Sequence, residues 1–388
     1  MNIIKHFSIL TFALILMTHH VTGQTDKNVE FGKGIKFLAK DSSYYAKMSI
    51  RIQNRFDGIY MEDVAPGDPT YISRFYIKRG RLKFDGFVLS PKTKYKIEFD
   101  IVGGYVRDAW IRHNFYKNLS VQYGLGKLPG NRERVVSSQK LQFVDRSQFN
   151  DAFNIDRDMG VQFLHHFKLG KMVFRETVAY TDGRGINDFS AHDGSSYTAR
   201  VDWLPFGEFK NKGDFYYADF AREQTPKIML GGVYNYNDKA IDARGQNGLR
   251  LSDTRNLSTI FADIMLKYRG INLSAEYGKK TTTENNPVVD MDSTSGDVLE
   301  SFYTGEGYVM QLAYLFKSNW EIAGRYTVVN PEKKTQRDDI VEYTFGVSKY
   351  IIEHNLKIQS DVSYQDNNTI YNDLGERVIV RFQIELAF

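Results

Sequence analysis

The chain contains no cysteine in 388 residues, which excludes disulfides, thiolate nucleophiles and cysteine-ligated metals. Proline is scarce, at 8 residues. Pro66, Pro69, Pro91, Pro129 and Pro331 sit between strand-like runs, where no ladder donor is required. Beyond the first two dozen residues no apolar run approaches the roughly 18 that a helical membrane span needs. An excess of one charge is also missing: 51 Lys and Arg face 47 Asp and Glu, for a net charge of +4, too little to argue for nucleic acid. No internal repeat, low-complexity tract or linker marks a second domain.

What the chain does have is aromatics, 27 Phe and 25 Tyr, on a mean hydropathy of −0.43. A polar average with many aromatics suits a transmembrane β-barrel with a wet lumen and two aromatic girdles. The last stretch, Arg377 to Phe388, carries the same pattern most clearly. Val378, Val380, Phe382, Ile384, Leu386 and Phe388 fall on one face of a strand; Arg377, Arg381, Gln383 and Glu385 fall on the other. Such a strand, ending on an aromatic, looks like the closing strand of a bacterial outer-membrane barrel, with the barrel-assembly machinery as a partner through Phe388. A soluble sandwich could also end in an amphipathic strand, but its outward faces would be polar.

At the other end, Lys5 and the apolar run Phe7–Met17 read as a secretory signal over residues 1–23, with Val21 and Gly23 as the small residues before a cut at Gln24. Residues 24–388 then form one barrel. Segments of period-two alternation recur at 44–58, 71–88, 93–103, 107–116, 119–128, 158–167, 171–181, 195–204, 227–237, 257–269, 270–281, 305–317, 319–330, 338–350, 353–365 and 376–388, sixteen in all. Tight turns and longer links alternate between them, as expected of a barrel with short periplasmic turns, long outer loops and an even strand count. Residues 214–221 could be read as a further strand. That would make the count odd, so 205–226 is expected to be a long periplasmic connection. Segment 71–88 changes phase, and a bulge near Lys78–Gly80 would restore it.

Sixteen strands enclose an aqueous channel, so function rests on what constricts it and which charges line it. Between residues 44 and 97 eleven Lys or Arg meet five acids. Arg51, Arg55, Arg74, Lys78, Arg81 and Lys83 share the inferred lumen face, and rows of such cations select anions. The plainer reading is a solvated wall whose cations balance acids on neighbouring strands. The long segment 129–157 can fold inward as a constriction loop. It carries Arg132, Arg134, Lys140, Arg146 and Arg157 against Glu133, Asp145, Asp151 and Asp156, so its own charge is balanced, and of these Arg132 and Arg134 are expected at the site.

Gly126-Lys-Leu-Pro-Gly, Phe143-Val-Asp-Arg-Ser and Ala152-Phe-Asn-Ile-Asp-Arg-Asp-Met-Gly-Val-Gln, preceded by Asp108-Ala-Trp-Ile, resemble the phosphate-selective porin O and P family. Ala199-Arg-Val-Asp-Trp-Leu-Pro-Phe-Gly, Lys227–Asn237 and Arg244-Gly-Gln-Asn-Gly extend the resemblance over nearly all of the mature chain. It implies a trimeric sixteen-stranded porin in the bacterial outer membrane, with lipid and small anions such as phosphate as partners and a third long loop folded into the channel. The balanced charge of 129–157 departs from a lysine-rich constriction. A general or nutrient porin on the same scaffold, or a surface-binding barrel, therefore stays open.

No enzymatic constellation stands out, and no cofactor or metal is expected. His165 and His166 point to opposite faces, while His113, His192 and His354 lack partners at a telling spacing. The acidic run Asp290–Asp297 departs from a calcium loop in ligand and glycine positions and reads as a solvated outer loop. With about 20 residues between Gln24 and the first strand, a receptor plug has no room. The signal reading predicts that protein recovered from cells begins at Gln24. An intact mass that still includes the first 23 residues would refute it.

Overall fold

A strand that buries one face against lipid and the other against a polar interior needs both backbone edges paired, and sixteen strands meet that need here by closing on themselves. The computed structural model describes residues 31–63, 70–186, 188, 190–368 and 374–388. The signal at 1–23, and parts of the predicted links 59–70, 182–194 and 366–375, lie outside the described residues. A short β1 (Ile35–Leu38) is followed by β2 (Tyr44–Asp63), β3 (Thr70–Val88), β4 (Thr93–Asp100), β5 (Tyr105–Tyr116) and β6 (Leu119–Lys127). Then come β7 (Arg157–Leu169), β8 (Met172–Thr181), β9 (Ser196–Leu204), β10 (Lys227–Asp242), β11 (Arg250–Tyr268) and β12 (Ile271–Thr282). A two-stranded outer ribbon, β13 (Val288–Met291) and β14 (Val298–Ser301), precedes β15 (Gly305–Leu315), β16 (Trp320–Pro331), β17 (Asp339–Ile352), β18 (Leu356–Asn368) and β19 (Leu374–Ala387).

Each barrel strand pairs antiparallel with its sequence neighbour, and β19 closes the ring on β2. All sixteen predicted segments are strands of this barrel, and residues 205–226 are the connection expected of them, with a 3₁₀ turn at Lys210–Phe215. The closing strand has the predicted faces. Val380, Phe382 and Ile384 are exposed, whereas Arg381, Gln383 and Glu385 are buried inside. The sequence pattern gave no sign of β1. Where β19 ends opposite Arg51, β1 takes over the free edge of β2 and pairs with Tyr45–Met48.

The bulge in β3 falls at Lys78: Gln53 of β2 pairs with Arg79 and Asn54 with Ile77, so Lys78 is the extra residue. A second bulge, unforeseen, sits in β5. Glu98 pairs with Asp108 and Phe99 with Val106, leaving Arg107 over. Each bulge turns two consecutive side chains inward, Lys78 with Arg79 and Arg107 with Asp108.

The interior is open on one side and packed on the other. The segment between β6 and β7 enters the barrel and packs helix Gln148–Phe153 against β10–β16, where Phe149 and Phe153 join Val233, Phe261, Val309 and Val329 in an apolar cluster. The β9–β10 link rises to meet it from the tight-turn end. Its Phe209 and Tyr217 pack with Val136, Leu141, Met229 and Met265. Lys267 on β11 holds the link by donating to the carbonyls of Gly213, Tyr216 and Ala218. Inward-facing glycines make the seats. A Cβ on Gly278 would lie 2.6 Å from the Phe261 ring and 3.0 Å from that of Phe149, and one on Gly346 would lie 3.0 Å from Phe143.

Deleting Lys78 should leave both halves of β3 in phase, so the variant should refold and keep heat-modifiable electrophoretic migration. Deleting Phe56 from the regular part of β2 should fail the same assay. It would turn buried Arg51 or Arg55 toward lipid, at about 2–4 kcal/mol for each Arg near the midplane.

Candidate functional site

The inward segment is held by groups that would otherwise line an open lumen. The Glu133 amide donates to Glu276 Oε1 (2.6 Å) and the Val144 amide to Asp361 Oδ2 (2.8 Å). Ser348 and Gln359 donate to the Gln142 carbonyl. Asp145 sits among three cations of the opposite wall, 2.5 Å from Arg55 Nη1, 3.1 Å from Arg79 Nη2 and 3.5 Å from Lys78 Nζ. Burial alone would raise the Asp145 carboxyl, but Arg79, Arg55 and Lys78 outweigh it and hold the group well below the usual carboxylate range.

Space remains between the segment and the wall formed by β2–β8. A central cavity of about 490 Å³ is lined by eleven Lys or Arg and only three acids, Glu98, Asp100 and Asp108. Those acids are shared out. Asp100 pairs with Arg81, Glu98 with Lys96 (2.8 Å), and Asp108 with Lys96 (2.9 Å) and Arg157 (3.1 Å). Three lining cations, Arg112, Lys127 and Arg146, have no carboxylate within ion-pair distance among the described residues. Lys127 donates instead to the carbonyls of Arg134, Val135 and Val136, and Arg146 to those of Glu133 and Val136. Arg112 donates to Gln122 Oε1 and stacks 5.0 Å from the Trp110 ring centroid.

The crowding has an electrostatic signature. Burial, then the guanidiniums of Arg146, Arg157, Arg107 and Arg79, hold Arg134 well below the ordinary arginine range even though it pairs with Asp156. Arg146 is brought down to about 10, by burial and then by Arg79, against the pull of Glu133 and Asp145. Both stay charged at neutral pH, so the cluster is short of negative charge.

The cavity is continuous in its lining with two others. Tyr105 borders both it and an outer cavity of about 510 Å³, flanked by Arg184, Asp188, Asp242 and Arg250. Arg112, Lys127 and Val135 border both it and an inner cavity of about 1020 Å³ at the tight-turn end. The three follow one another down one side of the barrel.

Of the residues expected at the site, Arg51, Lys78, Arg81 and Arg134 line the central cavity. Arg55 lies behind it, bound to Asp57 and Asp145. Arg74 stands further out, exposed, 3.2 Å from Asp57, and Lys83 pairs with Asp85 at 3.0 Å. Arg132 is elsewhere: fully buried under the segment, 2.7 Å from Asp202 and 3.3 Å from Asp263, both of which Arg200 also binds. Sequence reasoning did not single out Arg79, Lys96, Arg107, Arg112, Lys127, Arg146 or Arg157 for the site. His165 bonds Glu176 (2.8 Å) on the wall, and Asp292 caps its own turn through the Thr294 amide.

The family model described as phosphate-selective porin O and P matches residues 47–388. Among solved structures, the outer membrane channel DcaP of Acinetobacter baumannii is similar at 12% identity and a TM-score of 0.56, over 91% of this chain and 99% of that one. OprB of Pseudomonas putida is similar at 10% identity and 0.56, over 88% and 94%. An anion-selective porin from Comamonas acidovorans is similar at 9% identity and 0.54, over 88% and 99%. No curated protein matches the sequence. The chain belongs to the phosphate-selective porin O and P family: it is a channel of the bacterial outer membrane.

The Asp145 cluster gives a pH prediction. A carboxylate whose folded pKa is depressed stabilises the docked segment above its unfolded value of about 3.9, and that contribution is lost as pH falls through the lower folded value. Amide hydrogen exchange of residues 143–147, corrected for intrinsic rates, should therefore stay slow from pH 7 to about 4. Asp145→Asn should exchange roughly tenfold faster at neutral pH, because it leaves three cations without their shared partner.

Proposed function

We propose that this porin passes small anions, phosphate among them, along the eccentric path between β2–β8 and the inward segment, which constricts it. The observation that carries the reading is the charge of the central cavity: eleven cations to three acids, with Arg112, Lys127 and Arg146 lacking any carboxylate partner among the described residues. An anion entering there is stabilised by cations that the fold has already desolvated and fixed, whereas a cation meets net repulsion. Outer-membrane lipid against the outward aromatics and assembly as a homotrimer belong to the same reading.

A general porin without phosphate selectivity is favoured by one observation. Arg81, Lys96 and Arg157 each already have a carboxylate within 3.1 Å, as expected of a balanced wall.

Single-channel recording in lipid bilayers under a KCl gradient, followed by phosphate titration, separates the two. The first reading expects an anion-selective reversal potential and chloride current that low phosphate reduces. Arg112→Gln together with Arg107→Gln should then lower the anion-to-cation permeability ratio several-fold. Arg132→Gln should lower that ratio less, because Arg132 lies outside the path and acts on it only by holding the segment. A cation-selective or unselective channel indifferent to phosphate would leave the general porin.

A further inference from the structure

Barrel interiors that conduct water are polar, yet the inner cavity sets apolar side chains among its polar ones. Leu128, Pro129, Val135, Leu164, Phe209 and Phe215 all line it. They come from three separate places: the start of the inward segment, the wall strand β7 and the β9–β10 link. Phe215 is set rigidly, with the Arg175 guanidinium 5.4 Å from its ring centroid and that of Arg132 at 5.8 Å. The same cavity holds Lys94, Arg112 and Lys212, none with a carboxylate within ion-pair distance among the described residues. Arg112 spends Nε and Nη2 on Gln122, leaving Nη1 for a ligand at the point where the inner and central cavities meet.

A bare inorganic anion uses only half of this chemistry. It would bind the cations and leave the part-exposed faces of Val135, Leu164 and Phe215 uncovered, whose burial is worth about 25 cal/mol per Å² of apolar surface covered. The volume, about 1020 Å³, is that of a site for an organic molecule. We propose that the inner cavity is a binding site for amphiphilic organic anions, a compact carboxylate or phosphate head at Arg112 joined to a flat apolar body against Leu164, Val135 and Phe215. This rests on the anion-path reading and narrows it: the anion binds at the tight-turn end, and its apolar part sets the affinity.

Phenyl phosphate and inorganic phosphate serve as the probes, added on the tight-turn side of single channels, with dissociation constants read from current block. Phenyl phosphate is expected to bind at least tenfold more tightly. Leu164→Asn and Phe215→Ser should each bring it down to the affinity of inorganic phosphate. Leu164 lies outside the buried apolar clusters, so its variant reads the site even if Phe215→Ser fails to fold. Equal affinities in the wild-type channel, or a preference that survives both substitutions, would overturn the proposal while the anion path stands. No block by either probe, with a cation-selective reversal potential, would take down both.

Discussion

A peptide segment that leaves the wall of a barrel and crosses its interior must find a partner for every buried amide, carbonyl and charge, because neither lipid nor bulk water is there to supply one. The rest of this structure depends on that constraint. The wall from β9 to β19 answers it group by group: Glu276 and Asp361 accept from segment amides, while Ser348 and Gln359 donate to a segment carbonyl. These polar residues face inward, as a wet lumen would require, yet they are buried and occupied. The open space is therefore displaced to the other side, where β2–β7 line the central cavity.

The sequence made the wall legible because lipid enforces a strict alternation, and one misplaced residue would turn charges outward. Parity did more than propensity. It rejected 214–221 as a strand and located the bulge near Lys78 from the switch of Phe75 and Ile77 to the other phase. The site was legible only in part. Alternation tells which side chains face inward but not whether they meet water or the segment. Arg132 and Arg134 lie two residues apart in the same loop, yet one is locked between Asp202 and Asp263 and the other lines the cavity. One signal was available: Gly278 and Gly346 stand at inward positions where a polar side chain would be expected. Gly278 makes room for the rings of Phe261 and Phe149, and Gly346 for that of Phe143.

The missed cations share a different cause. Arg107 was hidden by a bulge that leaves no mark in the apolar pattern, because Val106 and the residues after Asp108 alternate acceptably on either side of it. Arg146 and Arg157 lie in or beside a segment whose total charge is balanced. That balance does not persist in space. Asp145 and Asp156 are drawn into ion pairs, with Arg55 and Arg79 and with Arg134, while Arg146 is left to backbone carbonyls. A neutral segment thus presents a cationic surface to the cavity.

Fixing those cations has a consequence for selection. A lysine row free in water re-solvates as an ion passes and discriminates weakly. Guanidiniums tied to carbonyls, to Gln122 or to a shared carboxylate are already desolvated, so an anion pays little to reorganise them. Their mutual repulsion, felt at Arg134, would be relieved by an anion that entered. On the anion-path reading, selectivity follows from the rigidity of the packed half of the barrel, since the segment that closes β9–β19 also carries Arg134 and Arg146 to the opposite wall. Loosening the packing at Phe149 or Phe143 would weaken the filter without touching a single charge.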